Sequence, residues 1–112
     1  MPEFDHEFLT GTVTVVLLGL LAERDRYAYE ILQETARRSG GAFHLKEGTL
    51  YPALHQMERD GLLKAAWRDS DAGRPRKYYS LTAKGRRCAD SKRRQWRGIV
   101  AATRAILGDA GG

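Results

Sequence analysis

The chain has 112 residues, of which 42% are hydrophobic and 29% charged, a composition typical of one small globular domain that excludes an intrinsically disordered chain. Residues 1–63 hold six Lys/Arg and ten Asp/Glu, a net charge of −4, whereas residues 64–112 hold 13 and four, a net charge of +9. We therefore expect a basic surface in the second half that could contact phosphate groups, although an ordinary solvated surface would show the same pattern.

The N-terminus and the single cysteine favour a cytoplasmic location. Glu3, Asp5 and Glu7 make the N-terminus acidic where a secretory signal is basic. The apolar run 13–22 is shorter than the roughly 20 residues that a membrane span needs. Cys88 has no second cysteine with which to form a disulfide within the chain, which suits a reducing compartment. We expect no membrane contact.

The first two predicted helices carry apolar stripes. In the first, apolar residues recur at three- and four-residue steps and predict one core-facing stripe: Leu9, Val13, Val16, Leu17, Leu20 and Leu21. Val15 and Leu18 lie off this stripe, which indicates a second contact face beyond the domain's own core. A second helix is predicted from Tyr27 to Arg38, ended by Ser39 and two glycines; its inward residues are Ala28, Ile31, Leu32 and Thr35.

A third helix is predicted from Gly48 or Thr49 to Asp60, with Thr49 as its N-cap and Pro52 in its first turn. Its core-facing residues are Leu50, Leu54 and Met57, which leaves Tyr51, Pro52, His55, Gln56 and Arg59 pointing outward. Lys46 precedes an open helix N-terminus, which favours a phosphate there.

Two short strands follow. Leu63, Ala65 and Trp67 alternate with small or polar residues, as Lys77, Tyr79 and Leu81 do in part, and turn-forming residues fill positions 69–75. Trp67 is interpreted as the hydrophobic anchor of this hairpin, and Tyr78 and Tyr79 as pinning its second strand to the core. Four cations surround the tip: Arg68, Arg74, Arg76 and Lys77. The order helix, helix, helix, hairpin predicts a mainly α fold with a small β-hairpin, the winged variant of helix-turn-helix.

Thr82 is the expected N-cap of a last helix that reaches about Leu107. Its C-terminal half is apolar at heptad spacing, which is typical of a helix that packs against another helix. We predict a winged helix-turn-helix domain at 1–81, a dimerisation helix at 82–108 and a flexible tail at 109–112. The predicted dimer interface comprises Val15, Leu18, Ala89, Trp96, Ile99, Val100, Thr103, Ile106 and Leu107.

Five segments carry a family resemblance, and they occur in the expected order along the chain: Leu18–Ala22, Tyr27–Ile31, Glu47–Leu54, Glu58–Leu62 and Arg76–Gly85. Together they are specific, and the chain resembles the PadR family of transcriptional regulators, in the short form with a single C-terminal helix. One departure is Ala28, where the family commonly has Gly; Ala suits a helix interior better, so the fold should be unaffected.

The resemblance implies a homodimeric winged-helix repressor that binds an inverted-repeat operator in double-stranded DNA and releases it when a small aromatic or amphipathic effector is present. It places the reading helix at 47–60, the wing at 67–81 and the dimer contacts on the first and last helices. The candidate DNA-binding residues are Lys46, Thr49, Tyr51, Pro52, His55, Gln56, Arg68, Arg74, Arg76 and Lys77.

The candidate effector site is the dimer seam, where Trp96, with Ile99 and Val15, could wall a pocket for a planar ligand. Plain interface packing is the alternative for Trp96. A protein-interaction module without DNA affinity is a rival function, since Glu47, Glu58 and Asp60 would repel phosphates; a ligand sensor that uses the seam alone is another.

Enzymatic chemistry has little support in the sequence. His6, His44 and His55 are scattered and, with one cysteine, give no metal-site spacing. Paired carboxylates, a nucleophile triad and a phosphate-cradling glycine loop are missing from the sequence as motifs. We expect neither catalysis, nor a metal, nor a cofactor.

Overall fold

The computed structural model describes residue 4 and residues 6–109, with side chains at residue 4 and from residue 11 onward. Its elements, in chain order, are α1 (His6–Glu23), β1 (Arg26–Tyr27), α2 (Ala28–Arg38), α3 (Glu47–Arg59), β2 (Leu63–Arg68), β3 (Arg76–Leu81) and α4 (Ala83–Leu107). The predicted mainly α fold, with three helices, a hairpin and a last helix, is confirmed.

Helix α1 is buried on more than one face. Val13, Leu17, Leu20 and Leu21 of the predicted stripe are all buried, while the side chain of Leu9 lies outside the described residues. Leu18, placed off the stripe, is also buried, with 1% of its surface exposed. A helix that is apolar on several sides is stable only inside a core, and here α2, β3 and α4 all pack against α1.

The three strands form one antiparallel sheet in the order β1-β3-β2. In its register Ala65 is opposite Tyr79, and Trp67 is opposite Lys77. Opposed residues share a face, so Trp67 and Lys77 lie on the same face as the buried Tyr79. Strand β1 was not predicted, because two residues are too few to show an alternating pattern.

Helix α3 begins one or two residues earlier than predicted. Its N-cap is Lys46, in an extended conformation and without a side-chain cap. The prediction of Thr49 as the cap is therefore wrong, since Thr49 is the third helical residue. Pro52 is the sixth rather than a first-turn residue, so the carbonyl of Gly48 lacks its usual helical donor; Gly48 is exposed, and water can serve instead.

Helix α4 begins as predicted, with the Thr82 hydroxyl accepting a hydrogen bond of 3.0 Å from the Gly85 backbone N–H. The backbone here passes very close to the start of the hairpin. A Cβ atom added at Gly85 would lie 2.1 Å from the carbonyl oxygen of Leu62. Gly85 and Ala89 are buried, whereas the far half of α4 extends away from the core with its apolar side chains exposed.

Candidate nucleic-acid interface

The outward face of α3 gathers the predicted reading residues. Leu50, Leu54 and Met57 are buried beneath it. The remaining predicted contacts from this region are all exposed at the surface: Lys46, Thr49, Tyr51, Pro52, His55 and Gln56. The Tyr51 and His55 rings lie 6.3 Å apart, between centroids, one helical turn from each other. This exposed helix face has the width that a major groove accepts.

Gln56 is held by its helical neighbours. Its amide nitrogen donates to the Asp60 carboxylate at 2.9 Å, and its amide oxygen accepts from Arg59 at 2.8 Å. A contact from Gln56 to a base edge would therefore exchange these hydrogen bonds rather than use a free amide. Tyr51 has no such competing hydrogen bond within the described residues.

The wing cations do not form a single cluster. Arg68 and Arg76 are opposed across the hairpin, on the face away from Trp67 and Lys77. The Arg68 guanidinium lies 4.7 Å from the centre of the Tyr78 ring, and that of Arg76 lies 4.4 Å from the centre of the Tyr27 ring. The two rings meet edge to face at 5.4 Å, so four side chains form one ladder that ties the wing to β1.

Asp25 anchors this ladder. Its carboxylate accepts a hydrogen bond of 2.6 Å from Arg68, and that bond lowers the pKa of Asp25 below its ordinary value. Arg68 is thus part of a fixed internal network, although about half of its side chain remains exposed. Charge neutralised internally is less available to a phosphate.

Arg74 differs from the other wing arginines. It lies in the turn between β2 and β3, where Gly73 adopts a φ of 83° and the Ser70 hydroxyl donates to the Arg74 carbonyl. The turn is exposed, and the Arg74 side chain forms no ion pair with any residue that the structure describes. Unlike Arg68, Arg76 and Lys77, it also shows no contact with an aromatic ring of the described residues.

Trp67 is not the hydrophobic anchor that its position in the hairpin suggested. It is 70% exposed, because the wing extends past the core at this point. Tyr79 instead anchors the hairpin and is 2% exposed; burial raises the pKa of its hydroxyl. Tyr29, 60% exposed at the start of α2, was not singled out from the sequence, since a lone aromatic residue in an amphipathic helix gives no signal of exposure.

The predicted seam residues divide into two groups. Val15, Trp96 and Ile99 line one groove between α1 and α4, with a cavity of about 430 Å³. Trp96 is 43% and Ile99 59% exposed. Leu18 and Ala89 form the second group: both side chains are buried within one chain, and their contact with a second copy stays a prediction.

The end of α4 is apolar and uncovered in the single chain. Ile106 and Leu107 are 84% and 73% exposed, Thr103 is exposed, and Val100 is half-buried. A helix face of this kind is costly to leave in water and favours association.

Within residue 4 and residues 6–109, no helix combines the length and apolar character needed to cross a membrane. The same residues bring together no group of three or more His, Cys, Asp or Glu side chains in a position to hold a metal ion.

Known proteins share both sequence and fold with this chain. The sequence model of the PadR-like family of transcriptional regulators matches residues 17–91. The transcriptional regulator Rv3488 of Mycobacterium tuberculosis is 35% identical over 89 residues, which cover 80% of this chain and 79% of that protein. The solved PadR family transcription regulator from Clostridium difficile R20291 has 34% identity and a TM-score of 0.75, over 87% of this chain and 99% of its own. A Streptococcus transcriptional regulator has a TM-score of 0.81 at 26% identity, over 92% and 99%.

Proposed function

Because this chain belongs to the PadR-like family of transcriptional regulators, we propose that it is a cytoplasmic homodimeric repressor of an inverted-repeat operator. The observation that carries the proposal is the exposed face of α3 beside a wing whose tip bears Arg74, a cation that forms no ion pair with a described residue. The helix would read base edges in a major groove, and the wing would hold the adjacent phosphates.

The dimer forms through the apolar end of α4 and the outer side of α1. Ile99, Ile106 and Leu107 are the side chains that gain most from burial, since each is more than half exposed in the single chain. A two-fold axis through this seam presents two α3 helices to one side of the duplex. Their separation has to match half-sites about one helical turn apart, ~34 Å.

The effector occupies the groove between α1 and α4 that Trp96 lines. A planar ligand stacked on the indole would favour a dimer with a different spacing of the two α3 helices, and so shift the population away from the DNA-binding state. Ligand and DNA then weaken each other's binding by the same factor, whichever is added first. Equal DNA affinity with and without saturating ligand would remove the effector from this proposal.

Selection of bound duplexes from a random pool tests the function and the half-site spacing in one experiment. We expect an inverted repeat with centres about 10 base pairs apart. A gel shift with the enriched duplex, and with a scrambled duplex of the same length, then measures the ratio of specific to non-specific affinity. A pool that shows no enrichment would contradict the proposal.

A protein-docking module is the second candidate function. Glu47 and Asp60, at the two ends of α3, are exposed and would repel a duplex that lay along the whole helix. A folded protein that binds no duplex from the pool at low salt would favour this candidate.

A further inference from the structure

Three exposed aromatic side chains surround one groove between α2, α3 and the wing. Tyr29, Tyr51 and Trp67 are 60%, 40% and 70% exposed, and all three line a cavity of about 280 Å³. This groove is separate from the one between α1 and α4, with which it shares no lining residue. Clustered exposed aromatic rings are characteristic of surfaces that bind a ligand.

The hairpin register explains why Trp67 stands at this groove. Trp67 is paired with Lys77, one step along the same face from the pair of Ala65 with the buried Tyr79. The sheet thus carries the indole past the edge of the core while the backbone still fixes its position. A ligand that stacks on the ring would cover apolar surface that the single chain leaves in water.

The charge of the groove selects the ligand. Arg76 and Lys77 line it, and none of its lining residues, all within the described part of the chain, is acidic. Lys77 lies 5.5 Å from the centre of the Tyr79 ring, and neither cation forms an ion pair with a described residue. A carboxylate entering the groove would therefore gain a cationic partner at Lys77 without breaking an ion pair between described residues.

We propose that this groove binds a small planar aromatic carboxylate, with its ring stacked on Trp67 and its acid group beside Lys77, the cation on the same face of the hairpin. The volume is at the lower end of small-molecule sites, roughly 300–1,000 Å³, which suits one ring or two fused rings. The proposal has a second part, which rests on the proposed function. This ligand displaces DNA directly, because Tyr51 belongs both to the groove and to the reading face of α3.

The two tryptophans of the chain provide the test. Their indole N–H signals in a ¹H–¹⁵N spectrum of the full chain are assigned with Trp67→Phe and Trp96→Phe, and 2-naphthoate is then titrated without DNA. We expect the Trp67 signal to shift progressively with 2-naphthoate, and to do so also in the Trp96→Phe variant. A Trp67 signal that does not move at millimolar naphthoate overturns the proposal, whether or not that of Trp96 moves.

The charge requirement has its own matched controls. Lys77→Gln should weaken naphthoate binding by about tenfold, whereas Lys64→Gln, on the opposite face of the same hairpin, should leave it unchanged. The neutral 2-naphthalenemethanol should bind the original protein more weakly than naphthoate. Equal binding of the acid and the alcohol overturns the choice of an anion.

Displacement is tested separately with the selected duplex. If naphthoate competes directly, the apparent dissociation constant for DNA rises linearly with naphthoate concentration. If naphthoate acts from the α1–α4 seam, that constant stops rising once the seam site is saturated. A plateau overturns displacement through Tyr51. If no duplex binds the protein at all, the proposed repressor function fails, while the spectrum without DNA still decides whether the groove binds the ligand.

Discussion

Tyr51 is the exposed aromatic residue of α3, and its side chain forms no hydrogen bond with a described residue. We expect Tyr51→Ala to weaken binding to the selected operator by about 1–3 kcal/mol, the range for one base-specific contact, and to weaken binding to scrambled duplex much less. Parallel titrations of both duplexes measure this difference. An equal loss on both would make Tyr51 a positional contact only.

Arg74 is expected to act on the phosphate backbone rather than on base edges. Each phosphate contact releases condensed counterion, so Arg74→Ala should reduce the slope of log affinity against log salt by about one. Arg104→Ala, in the last turn of α4, is the matched control and should leave the slope unchanged. If Arg74→Ala left the slope as it was, Arg74 would not contact the duplex.

Gly85 sits where α4 passes the start of the hairpin, and its Cβ position is occupied by the Leu62 carbonyl. We expect Gly85→Ala to lower the free energy of unfolding by about 1–3 kcal/mol through overpacking. Gly98→Ala, in the same helix with nothing within 4 Å of its Cβ position, should instead raise it by about 0.5–1 kcal/mol. Urea unfolding of both variants at one protein concentration compares them; equal effects would contradict the packing argument.

At the scale of elements, Glu23 joins α1 to α2. It accepts hydrogen bonds from Arg38 at 2.6 Å and from the buried Arg26 at 2.7 Å. The bond from Arg38 lowers the pKa of Glu23 to about 2. A carboxylate whose pKa is lowered by folding stabilises the folded chain above its unfolded pKa, and this contribution is lost as the pH falls from about 5 through 2.

Glu23→Gln should therefore cost about 1 kcal/mol at pH 7, a value kept small because the Glu23 side chain is 43% exposed. It should also flatten the dependence of stability on pH between 5 and 2. Chemical unfolding at several pH values measures both effects. Asp71→Asn, in the exposed turn of the wing and outside every ion pair among the described residues, is the control and should leave both unchanged. A Glu23→Gln profile as steep as that of the original chain would show that other groups govern acid unfolding.

How far the sequence predicts these elements depends on how many residues carry each pattern. The apolar stripe of α1 is predictable because its pattern repeats over several helical turns. The N-cap at Thr82 is predictable because a threonine hydroxyl is a common acceptor at a helix N-terminus. Strand β1 is formed by pairing with β3, a contact between distant residues that no local pattern encodes. Thr49 has good capping chemistry, yet α3 begins earlier, because cap choice depends on how the preceding loop approaches the helix.

The candidate site shows the same division. Exposure of the α3 residues follows from helical periodicity and was predicted. The exposure of Trp67 and the burial of Leu18 depend on where the core ends, which only the packed fold determines. The network of Asp25 with Arg68 joins residues 43 positions apart, and was invisible to a reading of neighbouring residues.

For the whole molecule, the central prediction is association through the apolar end of α4. Ile99→Asp should shift the protein from dimer to monomer in sedimentation at micromolar concentration, because a carboxylate would be buried without a partner. Operator affinity should fall with it, while Arg97→Asp, on the same helix and also exposed, should change both much less. A dimer that survives Ile99→Asp would place the interface elsewhere.

The sheet order has a consequence for the proposed repressor. Since β3 is hydrogen-bonded on one side to β1, which leads directly into α2, the sheet joins the wing to the helix-turn-helix. A bound subunit then has little freedom to move its wing relative to α3, and it should bind poorly to an operator in which the contacted phosphates are displaced from the contacted bases. A base pair inserted within either half-site should accordingly weaken binding strongly, because the wing of that subunit cannot follow the displaced phosphates.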